Sequence, residues 1–313
     1  MNPYSILELN FGKGKIQKDK NISSYITLRT ETVAEYFIEA ETKEDWLTLF
    51  HLTHEHTIPL FIIGGGSNLA ILQNKINGLV VRNLYVIKEV VNDTAQYVDL
   101  LVSSGYPMGR LVKETAEAGY EGFEYHLGLP GTLGGAIYMN SKWTHPLSYA
   151  GDWLIKGFLI DNEGALKEVD RNYFQFAYDH SKLQETKEFF LEGIFRLQKQ
   201  NPAILKNRSQ EALAYRKQTQ PFGVATSGCF FQNISEEEKN RLGFPTGSAG
   251  YLIDQAGLKH TQVGDFIVSP IHANFIVNQG EGKPEDLIQL IHLIKAKVKE
   301  QFGVDLKEEV RII

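Results

Sequence analysis

Gly128-Leu129-Pro130-Gly131-Thr132-Leu133-Gly134-Gly135-Ala136, with the earlier Gly64-Gly65-Gly66-Ser67-Asn68, sets the terms for the whole chain. Glycine lets backbone turn at positive φ and lets a ligand come close to the main chain. Successive inward amides form a nest that suits a phosphate or diphosphate. The first loop follows an apolar strand, Ile58-Pro59-Leu60-Phe61-Ile62-Ile63, and no helix opens after it. Instead Leu69-Ala70-Ile71-Leu72 and Gly78-Leu79-Val80-Val81 read as further strand. A dinucleotide fingerprint needs a strand, G-x-G-x-x-G and then a helix, and a Walker loop needs Gly-Lys-Ser/Thr. Neither is present. The pattern supports a diphosphate site outside both of those folds.

At 313 residues the chain has room for two domains, taking about 150 residues as a soft unit. With 42% hydrophobic and 22% charged residues it has the material for an ordinary globular core. A net charge of −6 argues against a nucleic-acid surface, which needs a basic face. Residues 1–20 carry Lys13, Lys15, Lys18 and Lys20 and lack the unbroken apolar stretch of a signal peptide. No run approaches the ~18 apolar residues of a membrane helix. The single cysteine, Cys229, excludes an internal disulfide and a cysteine-cluster metal site, and the expected compartment is the reducing cytoplasm.

Along the chain, Val33 to Glu41 reads as a strand and Thr42 to His54 as a helix capped by Thr42. Tyr97 to Ser103 is a strand, and Met108 to Ala118 has helical spacing that stops at Gly119. Phe123-Glu124-Tyr125 leads into the second glycine loop, and strands return at Trp153 to Asp161 and Phe189 to Leu197. The mixture is α+β and ends near Gln198, with Gln200-Asn201-Pro202 as punctuation. A smaller α/β unit follows. Its best-defined helix opens at Pro284, keeps Leu287, Ile291, Ile294 and Val298 on one face, and stops at Gly303.

In this order the glycine loops resemble the two flavin-diphosphate loops of the UDP-N-acetylenolpyruvoylglucosamine reductase (MurB) family. Gln220-Pro221 with Ser227-Gly228-Cys229-Phe230-Phe231-Gln232-Asn233 resembles that family's next segment. Ala249 to Lys259, His272-Ala273-Asn274-Phe275-Ile276-Val277-Asn278 and Phe302 to Arg311 resemble the rest. The resemblance runs from about residue 58 to the C-terminus. It implies an α+β fold: a vanillyl-alcohol-oxidase/PCMH-type FAD-binding domain at 15–198, with two subdomains split near 85. A smaller α/β MurB C-terminal substrate domain would follow at 203–313. It further implies noncovalent FAD, NADPH as co-substrate and a nucleotide-sugar substrate. The chain would be of the shorter type that lacks an inserted capping loop, and is expected to be monomeric.

The resemblance assigns cofactor contacts to Gly64, Gly65, Gly66, Ser67, Asn68, Leu69, Gly128, Gly131, Thr132, Gly134 and Gly135. It assigns proton donation to Cys229, where the family usually has serine, and assistance or polarisation to Glu309. Substrate contacts fall to Tyr178, Arg216, Gln232 and Asn233. Beside these stand plainer readings: a lone cysteine is usually a small buried hydrophobe. Glu309 reads equally as a solvated carboxylate in its charged run, Arg216 as a helix-end cation and Asn233 as a turn residue.

Several positions depart from the family. Asp179, in Tyr178-Asp179-His180-Ser181, stands where the family reads arginine, and its sign opposes a developing enolate. Three readings stay open: a reorganised site with Arg216 or His180 as the cation, a shifted register, or slow turnover. Glu31-Thr32 replaces a Gly-Gly pair, Ser141-Lys142-Trp143-Thr144 replaces Gly-Ala-Tyr-Gly, and Glu308 stands where proline is common. Nine histidines show no metal-ligand spacing, so no metal is expected, and His272 reads as structural. The functional alternatives are a related flavoprotein that binds FAD and nucleotide sugar but turns over poorly, and a superfamily flavin oxidase with another substrate.

Overall fold

The computed structural model describes residues 2–313, which form two compact units. The first comprises residues 2–18, Tyr36–Gly65 and Asn77–Arg216; the second comprises Asp19–Glu35, Gly66–Ile76 and Lys217–Ile313.

In the first unit the larger sheet is antiparallel, running Leu166–Asp170, Leu154–Ile160, Phe189–Lys199, Tyr97–Ser103 and Lys88–Asp93, with Tyr120–Glu121 added beside Phe189–Lys199. The helix Met108–Ala118 lies in the same core because its apolar residues recur on one face. Met108, Leu111 and Val112 bury themselves with Val98, Leu100 and Val102 of the sheet and with Leu133 and Ile137 after the second glycine loop. A second core gathers Trp46, Leu49 and Phe50 of the helix Lys43–Glu55 with Ile38, Leu79 and Val81. Thr42 starts that helix with a capping box completed by Asp45. Within this unit Leu60–Ile63, the strand that delivers the first glycine loop, pairs parallel with residues Leu79 to Arg82.

Residues Pro202–Thr219 form a long helix, opening on the proline that reads as punctuation in the sequence. Pro3–Phe11 is a short helix capped by Asn2, within a stretch whose sequence shows only polar–apolar alternation; Met1 lies outside the described residues.

The second unit carries an antiparallel sheet ordered Ala225–Cys229, Phe275–Asn278, Phe266–Val268 and Gln262–Val263. The helix Pro284–Phe302 buries Leu287, Leu290, Ile291, Ile294 and Val298. A short parallel pair joins Leu69–Ala70 to Arg311–Ile312, tying the segment after the first glycine loop to the C-terminal strand. No described helix is long and apolar enough to cross a membrane.

Candidate active site

Within the first unit the two glycine loops meet backbone to backbone. A Cβ on Gly65 would fall 2.3 Å from the Cα of Gly131, and one on Gly64 would fall 2.6 Å from Thr132 Oγ1. Gly131 itself has φ +102°, a conformation that side chains rarely adopt. The second loop is clamped in place: Met108 N donates to Gly131 O (3.1 Å), Leu133 N to Tyr106 O (2.9 Å) and Gly134 N to Ser104 O (2.8 Å). The Gly134 amide is therefore engaged with the turn that follows the strand Tyr97–Ser103. Its lack of a side chain serves packing, since a Cβ would lie 2.8 Å from Ser104 Cβ.

These loops fit the diphosphate of FAD on two observations. Gly65 and Gly135 are exposed where the loops converge, so a ligand reaches main chain there. Thr132 Oγ1 is buried and makes no hydrogen bond among the described residues. Leaving a buried hydroxyl unsatisfied costs about 1–3 kcal/mol, and a ligand oxygen beside Gly64 would remove that cost.

Gly128 begins the second loop at φ +86°, and a Cβ there would lie 2.9 Å from Leu213 Cδ1 and 3.2 Å from Arg216 Cδ. Arg216 is buried, with its guanidinium 4.5 Å from the ring of Trp143. Beside it His126 is wholly buried, and burial followed by the Arg216 charge pushes its imidazole down to about 3. That ring is neutral at physiological pH, with Nε2 3.4 Å from Ser148 Oγ.

Tyr178 is exposed, with Lys142 Nζ 3.2 Å from its ring centroid. Asp179 sits in a turn closed by Ala177 N to His180 O (3.1 Å) and His180 N to Ala177 O (3.3 Å). Asn140 Nδ2 donates to Ala177 O, and Gln184 Nε2 donates to Asp179 O. The Asp179 carboxyl is 7% exposed, and its Oδ2 makes no hydrogen bond among the described residues. Burial pushes its pKa up to about 6 against the opposing pull of Lys142. Of the cations available to a reorganised site, His180 is engaged with Glu185 at 3.0 Å. The charge that acts on Asp179 is Lys142, a residue that sequence reasoning passed over. Its only signal was its place in the departure after the second loop.

In the second unit the strand Ala225–Cys229 loses regular register between Thr226 and Cys229, and Cys229 is a half-buried thiol outside any disulfide. Ser227 Oγ donates to Leu69 O at 2.6 Å. Glu309 N donates to Phe230 O at 2.9 Å, so Glu309 and Cys229 belong to directly bonded chain segments. Asn68 Nδ2 donates to Glu309 O at 3.4 Å, and Arg311 N donates to Asn68 O at 2.9 Å. The tail of the first glycine loop, Asn68 and Leu69, thus runs beside both candidate catalytic residues. Ser67 is half-buried, and Gly66 packs against Tyr25 O, which a Cβ would approach to 2.1 Å.

Gln232 is anchored through its backbone, with N donating to Lys307 O at 2.8 Å. Asn233 is exposed, and its Oδ1 accepts from Ala249 N, a structural bond to the next helix. Glu308 pairs with Lys295 at 2.7 Å. His272 is structural in this sense: its Nδ1 accepts from Asn274 N and its ring meets Phe275 edge-on at 4.9 Å. No group of three described residues offers a metal-binding cluster.

Residues 34–170 match the family model described as FAD binding domain, and residues 220–313 match that of the UDP-N-acetylenolpyruvoylglucosamine reductase C-terminal domain. A UDP-N-acetylenolpyruvoylglucosamine reductase of Protochlamydia amoebophila is 35% identical over 280 residues, covering 90% of this chain and 88% of its own. The crystal structure of UDP-N-acetylenolpyruvylglucosamine reductase (MurB) from Thermus caldophilus superposes with TM-score 0.76 at 27% identity. That match covers 94% of this chain and 97% of the other. Phl p 4.0202, a glucose dehydrogenase, shares the fold at TM-score 0.50 and 12% identity, over 98% of this chain and 60% of its own.

Proposed function

The chain belongs to the UDP-N-acetylenolpyruvoylglucosamine reductase family, and on that premise we propose that it reduces UDP-N-acetylglucosamine enolpyruvate to UDP-N-acetylmuramate with NADPH, using Cys229 as proton donor. FAD is its cofactor, and when bound it supplies the hydride chemistry. Every other task falls to the protein.

Gly64, Gly65, Gly131, Thr132 and Gly135 would hold the diphosphate, with Thr132 Oγ1 as a donor that makes no hydrogen bond among the described residues. Gly128 and Gly134 complete the second loop, and Gly66, Ser67, Asn68 and Leu69 are proposed as further cofactor contacts. Reduction of the enolpyruvyl ether places a hydride on one alkene carbon and requires a proton on the other. Cys229 Sγ–H delivers that proton: a thiol with reference pKa ~8.5 is mostly protonated at neutral pH and is a far better acid than serine. Glu309 polarises the enol or returns the proton to the sulfur. The backbone bond between Glu309 and Phe230 is the observation that most supports this pairing. Arg216 offers a planar fork to the diphosphate or carboxylate of the substrate, and Tyr178, Gln232 and Asn233 contribute further contacts.

In this reading residues 15–198 are the FAD-binding domain and 203–313 the substrate domain, and the working form is a cytoplasmic monomer engaging neither nucleic acid nor membrane. A second reading, binding with slow turnover, is favoured by one observation: a buried carboxyl at Asp179, next to Tyr178. Steady-state NADPH oxidation distinguishes the two. Oxidation that depends on the enolpyruvyl substrate supports the first; tight substrate binding without oxidation supports the second.

A further inference from the structure

We infer that Trp143 is a positioning residue that aims the Arg216 guanidinium at an oxyanion of the nucleotide-sugar substrate. The inference rests on the reading above and concerns how that site is built.

Arg216, on the helix Pro202–Thr219, runs its stem across Gly128, where a Cβ would lie 3.2 Å from its Cδ. The head then lies 4.5 Å from the indole ring of Trp143. Trp143 is itself held rigidly. It is 4% exposed, its Nε1 donates to His145 O at 2.6 Å, and Tyr215 meets it edge-on at 5.6 Å and 90°. It sits in a two-stranded hairpin, Lys142–Thr144 with Leu147–Tyr149, opposite Ser148, the residue that contacts His126. Hairpin, imidazole and glycine thus converge on one side chain.

A guanidinium held over an aromatic face loses rotational freedom, and its N–H donors all lie in one plane. Restricting that fork favours bidentate recognition of a phosphate or carboxylate. His126, being uncharged, leaves Arg216 as the positive centre of this cluster. A lysine at 216 would carry the charge without the plane.

The test uses FAD-loaded protein and three variants, W143F, W143L and R216K. Calorimetry gives Kd for UDP-N-acetylglucosamine, which has the diphosphate but no enolpyruvyl carboxylate. Kinetics give KM and kcat for the enolpyruvyl substrate. We expect W143L to weaken binding about tenfold, as loss of a desolvated cation–π contact implies. KM should rise in step with kcat held within about twofold, and W143F should recover most of the loss. R216K should match W143L, and the double variant should be no worse than R216K by more than about twofold. A rise in KM with the UDP-N-acetylglucosamine Kd unmoved assigns the oxyanion to the carboxylate; loss of both assigns it to the diphosphate.

Unchanged affinities in folded W143L, additive losses in the double variant, or weakened FAD binding in place of substrate binding would overturn the inference. If W143L does not fold, R216K decides: retained affinity with lysine removes any role for an oriented guanidinium fork. A wild type that binds no UDP-N-acetylglucosamine removes the functional reading and this inference together. A competent wild type with W143L unaffected removes the inference alone.

Discussion

Gly65→Ala probes the place where the two glycine loops touch. The residue is outside the left-handed region, so alanine is conformationally acceptable there and the whole cost is steric. Its Cβ would arrive 2.3 Å from Gly131 Cα, whereas ordinary contact begins at 3.4 Å. The atom it meets is backbone, and no side chain can rotate away. The loops must therefore part by about 1 Å, a displacement that overpacking studies put at about 1–3 kcal/mol. If the diphosphate straddles both loops, that strain also enters binding, at about tenfold in Kd for each 1.4 kcal/mol. We expect FAD affinity to fall about 10–100-fold in a fluorescence titration of apoprotein, with urea unfolding of the apoprotein shifted in the same direction. Gly109→Ala is the matched control: it lies in the helix Met108–Ala118 with nothing within 4 Å, and should gain about 0.5–1 kcal/mol. A Gly65→Ala protein with undiminished stability and undiminished FAD affinity would refute the shared-cradle argument.

Gly135→Ala separates folding from cofactor binding. Its Cβ would stand 3.9 Å from Thr132 Oγ1, so apoprotein stability should hold while FAD affinity drops at least about tenfold, measured by the same titration. Cys229→Ala should leave reduction of the flavin by NADPH intact and slow product formation about 10²–10⁴-fold in rapid-mixing absorbance, with Cys229→Ser recovering part of the rate. Asp179→Asn should raise stability near neutral pH. Because burial lifts the folded carboxyl from 3.8 to about 6, the wild type binds this proton more tightly when folded. Its contribution is complete below the ordinary value and is lost as pH rises through that window, a loss on the order of 2–3 kcal/mol. Thermal melts of the asparagine variant should lack this decline; identical pH profiles would show that the carboxyl is not desolvated.

What the sequence revealed followed local physics. Met108–Ala118, Lys43–Glu55 and Pro284–Phe302 were legible because an apolar stripe agreed with at least one end signal: the stop at Gly119, the cap at Thr42, or the opening proline and the stop at Gly303. Tyr97–Ser103 was legible as a strand for its β-branched and apolar run. The helix Pro202–Thr219 was not: its buried face consists of Leu205, Ser209, Ala212 and Arg216, half of them polar, and its first proline reads equally as a break. The glycine loops announced a close approach, although Gly134 turns out to serve packing against Ser104, in the turn after the strand Tyr97–Ser103. Nothing local could tell that Lys142 would lie over Tyr178, or Arg216 over Trp143. Those pairs join residues distant in the chain through a hairpin and a turn that only tertiary packing brings together.

The most direct measurement is anaerobic rapid mixing of the purified holoprotein, first with NADPH and then with UDP-N-acetylglucosamine enolpyruvate. We expect the flavin colour to vanish with the nicotinamide and to return at once with the enolpyruvyl compound, but not with UDP-N-acetylglucosamine. A protein that takes up no FAD, or whose reduced flavin stays colourless in the presence of the enolpyruvyl compound, would contradict the proposed chemistry.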